Sequence, residues 1–201
     1  MNAEVQPKSA KQTPPSYKVP NWIEGVYEVV ESVAQAVVVA ILLLSVFFRI
    51  SIVDGESMLP TLQDRDTLII SNFLYEPKQG DIVVVQPMTQ QMQKLIIKRV
   101  IATEGQVVDI DPTTWTVTVD GEPIATPRED YILYTEGYSM VTGNISFPHT
   151  VPEGKVFVMG DNRNNSTDSR FTSVGDIDKR LVVGHALCRV LPFSNRKSLL
   201  S

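Results

Sequence analysis

The residues predict a mainly β fold: an antiparallel β-sheet domain with a small second β region, preceded by one transmembrane helix. Three observations lead there. A single uninterrupted apolar stretch lies near the N-terminus. From residue 51 onward, short β-branched runs alternate with Gly, Pro, Asn and Asp. Thirteen prolines and eleven glycines in 201 residues suit a loop-rich β domain better than a helix bundle.

Taken in chain order, residues 1–21 read as a disordered cytoplasmic tail, with Pro7, Pro14, Pro15, Pro20 and three lysines but no apolar period. Residues 22–50 read as a membrane anchor helix. Seventeen uncharged residues separate Glu31 from Arg49, and eleven of them are Val, Ile, Leu or Phe. On an insertion scale these supply roughly −5 kcal/mol. Ile50, Ile52 and Val53 are expected to extend the helix, and Trp22 and Tyr27 to sit at its interface. The run starts too late, and lacks the small-x-small pattern, for a cleaved signal peptide. Lys8, Lys11 and Lys18 before it, against Arg49 and Arg65 after it, point to a cytoplasmic N-terminus.

Residues 51–195 read as the extracytoplasmic β domain. Its strand signals are TLII at 67–70, DIVVV at 81–85, KLIIKRVIA at 94–102, WTVTV at 115–119, KVFVM at 155–159 and LVVGHALCRV at 181–190. Asp120-Gly121 signals a type I′ hairpin. The second β region is expected at about 103–150, and residues 196–201 form a C-terminal tail. About 150 residues suffice for one such domain with its own core.

Composition narrows the function. A net charge of −5 and a pI of about 5.1 oppose a nucleic-acid partner. One cysteine, Cys188, makes no internal disulfide and no cysteine zinc site. Two histidines, His149 and His185, without an HExxH pairing oppose a metalloprotease. No metal or other cofactor is expected.

Three segments carry candidate chemistry. Ser57 lies in VDGESMLPTL, where Gly55 and Pro60 shape a turn that can present both the hydroxyl and the backbone N–H. Lys98 lies in KLIIKRVIA, where two-residue alternation puts Ile96 and Val100 on its face and Ile97, Arg99 and Ile101 on the other. A lysine with a pKa near 10.4 is neutral in about one molecule in 2,500 at pH 7. Reaching a pKa of ~8 takes about 3 kcal/mol of differential destabilisation, which burial among apolar neighbours can supply. His149, between two prolines, reads as a loop residue and His185 as a structural strand residue. GDNRNNSTDSR at 160–170 pairs Asp161 with Arg163 and Asp168 with Arg170, leaving Ser166 to orient a polar neighbour. On residues alone each segment also has a structural reading: a turn serine, a surface lysine, a hydrophilic loop.

In this order the three segments resemble the type I signal peptidase (leader peptidase) family. They stand as Gly55-Glu56-Ser57-Met58-Leu59-Pro60-Thr61, Lys98-Arg99-Val100 and Gly160 through Arg170, the last matching the family pattern at eight specified positions in eleven. The likeness spans roughly residues 30 to 192. It implies Ser57 as nucleophile, Lys98 as general base, Ser166 as the hydroxyl that orients the lysine, and the Ser57 N–H as oxyanion donor. It implies Arg99, Asp161, Asp168 and Arg170 as structural supports, with Arg99 paired to Asp161. Val53, Met58, Leu62, Ile96 and Ile97 fall where the family lines its substrate pocket. Gly55 stands where some members carry an oxyanion serine. The long cytoplasmic loop and second anchor of some members are absent.

The resemblance implies a Ser-Lys serine endopeptidase in the cell membrane or a thylakoid-type internal membrane. It would remove signal peptides after small residues of the Ala-x-Ala type. Its partners would be signal-peptide-bearing precursors and the lipid bilayer; the residues set no oligomeric state. Two alternatives stay open. One is a self-cleaving Ser-Lys protease, opposed by the apolar run and the acidic pI. The other is a catalytically idle anchored β domain that binds exported proteins.

Overall fold

The computed structural model describes residues 20–89, 94–125 and 139–192. The tail expected before residue 20 and that at 196–201 lie outside the described residues. The chain divides into two compact units, Met1–Leu43 and Leu44–Ser201.

The first unit holds most of α1, Asn21–Phe47, with Glu24 in its first turn, where a negative charge favours the helix N-terminus. Residues 22–47 are long and apolar enough to cross a membrane, and their most apolar window is wholly unburied. One expectation fails at the C-terminal end. The helix stops at Phe47, and Ile50 and Ile52 do not extend it: Arg49–Ile52 forms β1, with Val53 buried just beyond. Ladder hydrogen bonds to a neighbouring strand satisfy this backbone better than one more helical turn, and isoleucine suits a strand.

The second unit is built from β1 and ten further strands: β2 Thr67–Ser71, β3 Ile82–Val85, β4 Ile96–Thr103, β5 Val107–Asp111, β6 Thr116–Val119, β7 Glu122–Pro123, β8 His149–Thr150, β9 Lys155–Met159, β10 Ile177–Asp178 and β11 Val182–Leu191. Among the described residues every pairing is antiparallel. Seven strands form one sheet in the order β1-β2-β11-β3-β4-β9-β10, and four form a smaller one, β7-β6-β5-β8. Asp120 and Gly121 both have positive φ, 54° and 86°, and join β6 to β7 in the two-residue turn their sequence signals.

All four residues of β3 are buried, so the middle of the large sheet is covered on both faces. On one face Ile82 and Val84 pack with Val53, Met58, Leu62, Leu68, Ile70 and Ala186. On the other Val83 and Val85 pack with Val100, Val156, Val158, Val174 and Ile177. A register shift between Val100 and Ala102 breaks the alternation of β4. Ile101 and Ala102 thereby join Phe157, Met159 and the smaller sheet's Val108, Ile110, Val117 and Val119 in a third core. Fully burying a side chain such as Phe157 contributes roughly 1.5–3 kcal/mol.

Candidate active site

Ser57 and Lys98, 41 residues apart, meet: Lys98 Nζ lies 2.6 Å from Ser57 Oγ. Lys98 sits on β4, with Val83 directly across the ladder on β3. Its neighbour Ile96 faces Val85, and both valines pack with Val100. The apolar face expected from alternation surrounds the lysine, which is only 3% exposed. Burial pulls its ammonium down to about 8. Asp168 opposes the shift, Arg170 adds to it, and Asp161 and Lys94 make smaller opposing and reinforcing contributions. Among the described residues Ser57 Oγ is the one hydrogen-bond partner of Lys98 Nζ. At pH 7 such a lysine is neutral in roughly one molecule in ten.

The turn bearing Ser57 is held from two sides. Gly55 N–H donates to Asp64 Oδ1 at 2.8 Å. Ser57 C=O accepts from Asn162 N–H at 3.0 Å, Glu56 C=O from Asn162 Nδ2 at 3.2 Å. The Ser57 N–H itself is donated to no group among the described residues. Gly160 passes so close beneath that a Cβ there would overlap Ser166 Oγ and the Ser57 carbonyl, so only glycine fits.

The polar segment 160–170 is a scaffold of buried charge. Arg99 grips Asp161 with two parallel bonds, Nε to Oδ1 at 2.8 Å and Nη2 to Oδ2 at 2.7 Å. Thr61 donates to the same carboxylate at 2.6 Å. Asp161 thus turns to Arg99 on β4, the partner named from the resemblance, and makes no hydrogen bond with Arg163, the partner suggested by the pattern of signs. The Arg163 guanidinium is buried with no hydrogen-bond partner among the described residues, and burial holds it down to about 10. Arg170 pairs with Asp168 as expected, and also donates to the carbonyls of Val141 and Arg163. Ser166, expected beside the lysine, donates to Asp168 Oδ2 at 2.7 Å and makes no hydrogen bond with Lys98.

A cleft of about 510 Å³ opens beside the serine and lysine. Residues 50–54 with Ser57 and Met58 form one wall, and residues 94–98 the other; Val84 and Thr167 complete it. Four of the five expected pocket residues, Val53, Met58, Ile96 and Ile97, line it. Leu62 does not: it is fully buried in the core beneath Met58. Ile50 and Ile52, read from sequence as helix, are cleft residues, as are Asp54, Lys94 and Thr167. Thr167 carried a signal, standing between Ser166 and Asp168; Asp54 and Lys94, 40 residues apart, carried none. Both walls have free backbone edges. Among the described residues β1 pairs on one side only, and Ile96–Lys98 pair with β3 while β9 begins its pairing at Arg99.

His149, expected in a loop, belongs to β8, with Nε2 3.0 Å from Asp176. His185 Nδ1 lies 2.8 Å from the Ser71 carbonyl, and its ring stacks on Tyr75. Neither hydrogen-bonds to Ser57 or Lys98. No group of three or more His, Cys, Asp or Glu able to hold a metal occurs among the described residues.

Residues 26–191 match the family model described as signal peptidase, peptidase S26. A probable signal peptidase I-1 of Synechocystis is 35% identical over 185 residues, 88% of this chain and 88% of that protein. Signal peptidase I T of Bacillus subtilis is 34% identical over 173 residues, 83% of this chain and 86% of that one. A signal peptidase I of Enterococcus faecalis of known crystal structure aligns with a TM-score of 0.41 at 26% identity, covering 55% of this chain and 97% of that one.

Proposed function

The chain belongs to the signal peptidase family, peptidase S26, and from that premise we propose that it is a membrane-anchored serine endopeptidase removing N-terminal signal peptides from exported precursors after small residues. The observation that carries the reading is the contact of Ser57 Oγ with the Nζ of a buried lysine whose pKa is pulled down to about 8. A nucleophile needs a base at hydrogen-bond distance that is neutral near working pH, and a desolvated lysine meets both conditions.

The extended segment before the scissile bond lies in the cleft, hydrogen-bonded to the free edges of β1 and β4. Its small side chains rest against Val53, Met58, Ile96 and Ile97. The Ser57 hydroxyl attacks the scissile carbonyl carbon while its proton passes to neutral Lys98 Nζ. The Ser57 N–H, unclaimed by any acceptor, donates to the developing oxyanion. As the tetrahedral intermediate collapses, the C–N bond breaks and Lys98 gives its proton to the leaving amine. Water then attacks the acyl ester, Lys98 takes the water's proton, and the C–O bond breaks as Ser57 recovers its hydrogen. Asp168 fixes Ser166 and Gly160, and Asp161 fixes Arg99 and Thr61, so both are positioning residues. The helix Asn21–Phe47 anchors the enzyme, with the basic tail in the cytoplasm and the β domain outside.

The test is cleavage of a signal-peptide-bearing precursor by the full chain in membranes. Wild type releases the mature protein, and Ser57→Ala, which deletes one oxygen, releases none while keeping its fold. Wild-type turnover by Ser57→Ala ends the assignment.

A further inference from the structure

The two walls of the cleft are joined twice. At its inner end Ser57 meets Lys98. Toward the mouth, three and four residues earlier on the same two segments, Asp54 Oδ2 meets Lys94 Nζ at 2.8 Å. Among the described residues no ladder connects these segments: β1 pairs with β2 and the start of β4 with β3. The Asp54 and Lys94 side chains are 78% and 69% exposed, so the pair stands in solvent above the apolar floor. The hydrogen bond from Lys94 holds the Asp54 carboxyl below the usual carboxylate range, and Asp54 has no other hydrogen-bond partner among the described residues. Neither group touches the reacting atoms, and Lys94 bears on Lys98 only as the smallest of its charged neighbours' contributions.

We propose that the Asp54–Lys94 ion pair is a gate, strapping the walls together in the free enzyme and parted by the incoming peptide, so that it sets KM and not kcat. The proposal rests on the cleft being the peptide site. A strand needs about 4.8 Å to each neighbour in the hydrogen-bonding direction. A peptide bonded to both free edges therefore occupies the space that the two side chains bridge. A pair that must break before binding lowers apparent affinity by the closed fraction. An exposed pair is worth little, so the effect is small: about 1.5- to 5-fold in KM.

The experiment uses the full chain in detergent micelles and a short uncharged peptide substrate, at about pH 9 so that Lys98 is largely neutral. Asp54→Asn lowers KM by that factor at unchanged kcat, and Lys94→Gln lowers KM by the same factor. The double variant falls no further than either single one, because both remove the same contact. Raising salt from about 0.05 to 1 M lowers the wild-type KM toward the variants' and leaves theirs in place. The exchanged pair, Asp54→Lys with Lys94→Asp, restores the wild-type KM. Unchanged or raised KM in the single variants, or effects that multiply in the double, overturns the gate. Ile97→Trp, which fills the cleft, separates the two failures. If it raises KM while Asp54→Asn changes nothing, the gate alone falls. If it leaves KM untouched, the cleft is not the peptide site and the proposal falls with that reading.

Discussion

Asp168 and Arg170, two residues apart, form a forked ion pair from which solvent is wholly excluded: Nε to Oδ1 at 2.7 Å and Nη2 to Oδ2 at 2.8 Å. The same Oδ2 receives the Ser166 hydroxyl and the Gly160 N–H, so one carboxylate ties together the strand end and the loop beneath Ser57. Asp168→Asn keeps the volume but leaves the Arg170 guanidinium buried without its counter-ion. Loss of one partner of a buried pair costs about 3–5 kcal/mol. For a domain of this size thermal denaturation should show a midpoint lower by roughly 10 °C. A shift of a degree or two would show that the pair contributes far less than its burial implies.

The rate should follow Lys98. On the proposed mechanism its neutral form is the active one, and burial pulls its pKa down to about 8, so kcat/KM should rise as pH climbs through that value and level above it. Lys98→Arg should be inactive at every pH, because guanidinium stays protonated. His149→Ala and His185→Ala should keep the limb where it is. A limb near pH 6.5 that disappears in either histidine variant would remove the lysine from its role.

Stability should show the cost of holding that lysine. The folded-state pKa is about 8, against 10.5 for the unperturbed group. Below pH 8 both folded and unfolded chains hold the proton, and the folded one carries the whole desolvation penalty. Between 8 and 10.5 the unfolded chain binds more protons, so stability rises with pH; above 10.5 the penalty is gone. Lys98→Met should therefore be more stable than wild type at pH 7 by up to about 3 kcal/mol, the advantage shrinking as pH approaches 10.5. Denaturant melts of both proteins at about pH 7 and 10 measure it. A variant less stable than wild type at neutral pH would mean that the Ser57 contact outweighs desolvation.

Orientation is open to a direct test. Protease added outside right-side-out cells should digest the β domain and spare the tail before Trp22. Protection of the domain would reverse the topology argued from Lys8, Lys11 and Lys18.

Much of the sheet was legible because β-branched runs bounded by turn residues behave locally. The strands at 67–71, 82–85 and 155–159 fall on such runs, and Asp120-Gly121 turns where its dipeptide demands. What escaped was decided at a distance. Ile50 and Ile52 follow the apolar run just past Arg49, and only pairing with Ile69 and Thr67 on β2 makes them strand. The two-residue strands β8 and β10 are too short for a period, while β7 was legible only through the turn before it. In the site, the sign pattern alone offered Arg163, two residues from Asp161; the partner is Arg99, 62 residues back, which only the resemblance named. The motifs named Ser57, Lys98 and the charged loop at 160–170; the Asp54–Lys94 pair belongs to no motif.

The order of strands has a consequence for when the enzyme becomes able to work. The segments carrying Ser57 and Lys98 follow β1 and lie on β4, and the sheet runs from one to the other through β2, β11 and β3. β11, the last strand in chain order among the described residues, is thus the middle plank of the bridge. On the proposed mechanism, Ser57 and Lys98 stay in separate hairpins until residues 182–191 insert between β2 and β3. Without the packed sheet the lysine should be an ordinary protonated amine. The chain is then expected to become able to cleave only when β11 slides into place, and not to attack itself or its neighbours before that.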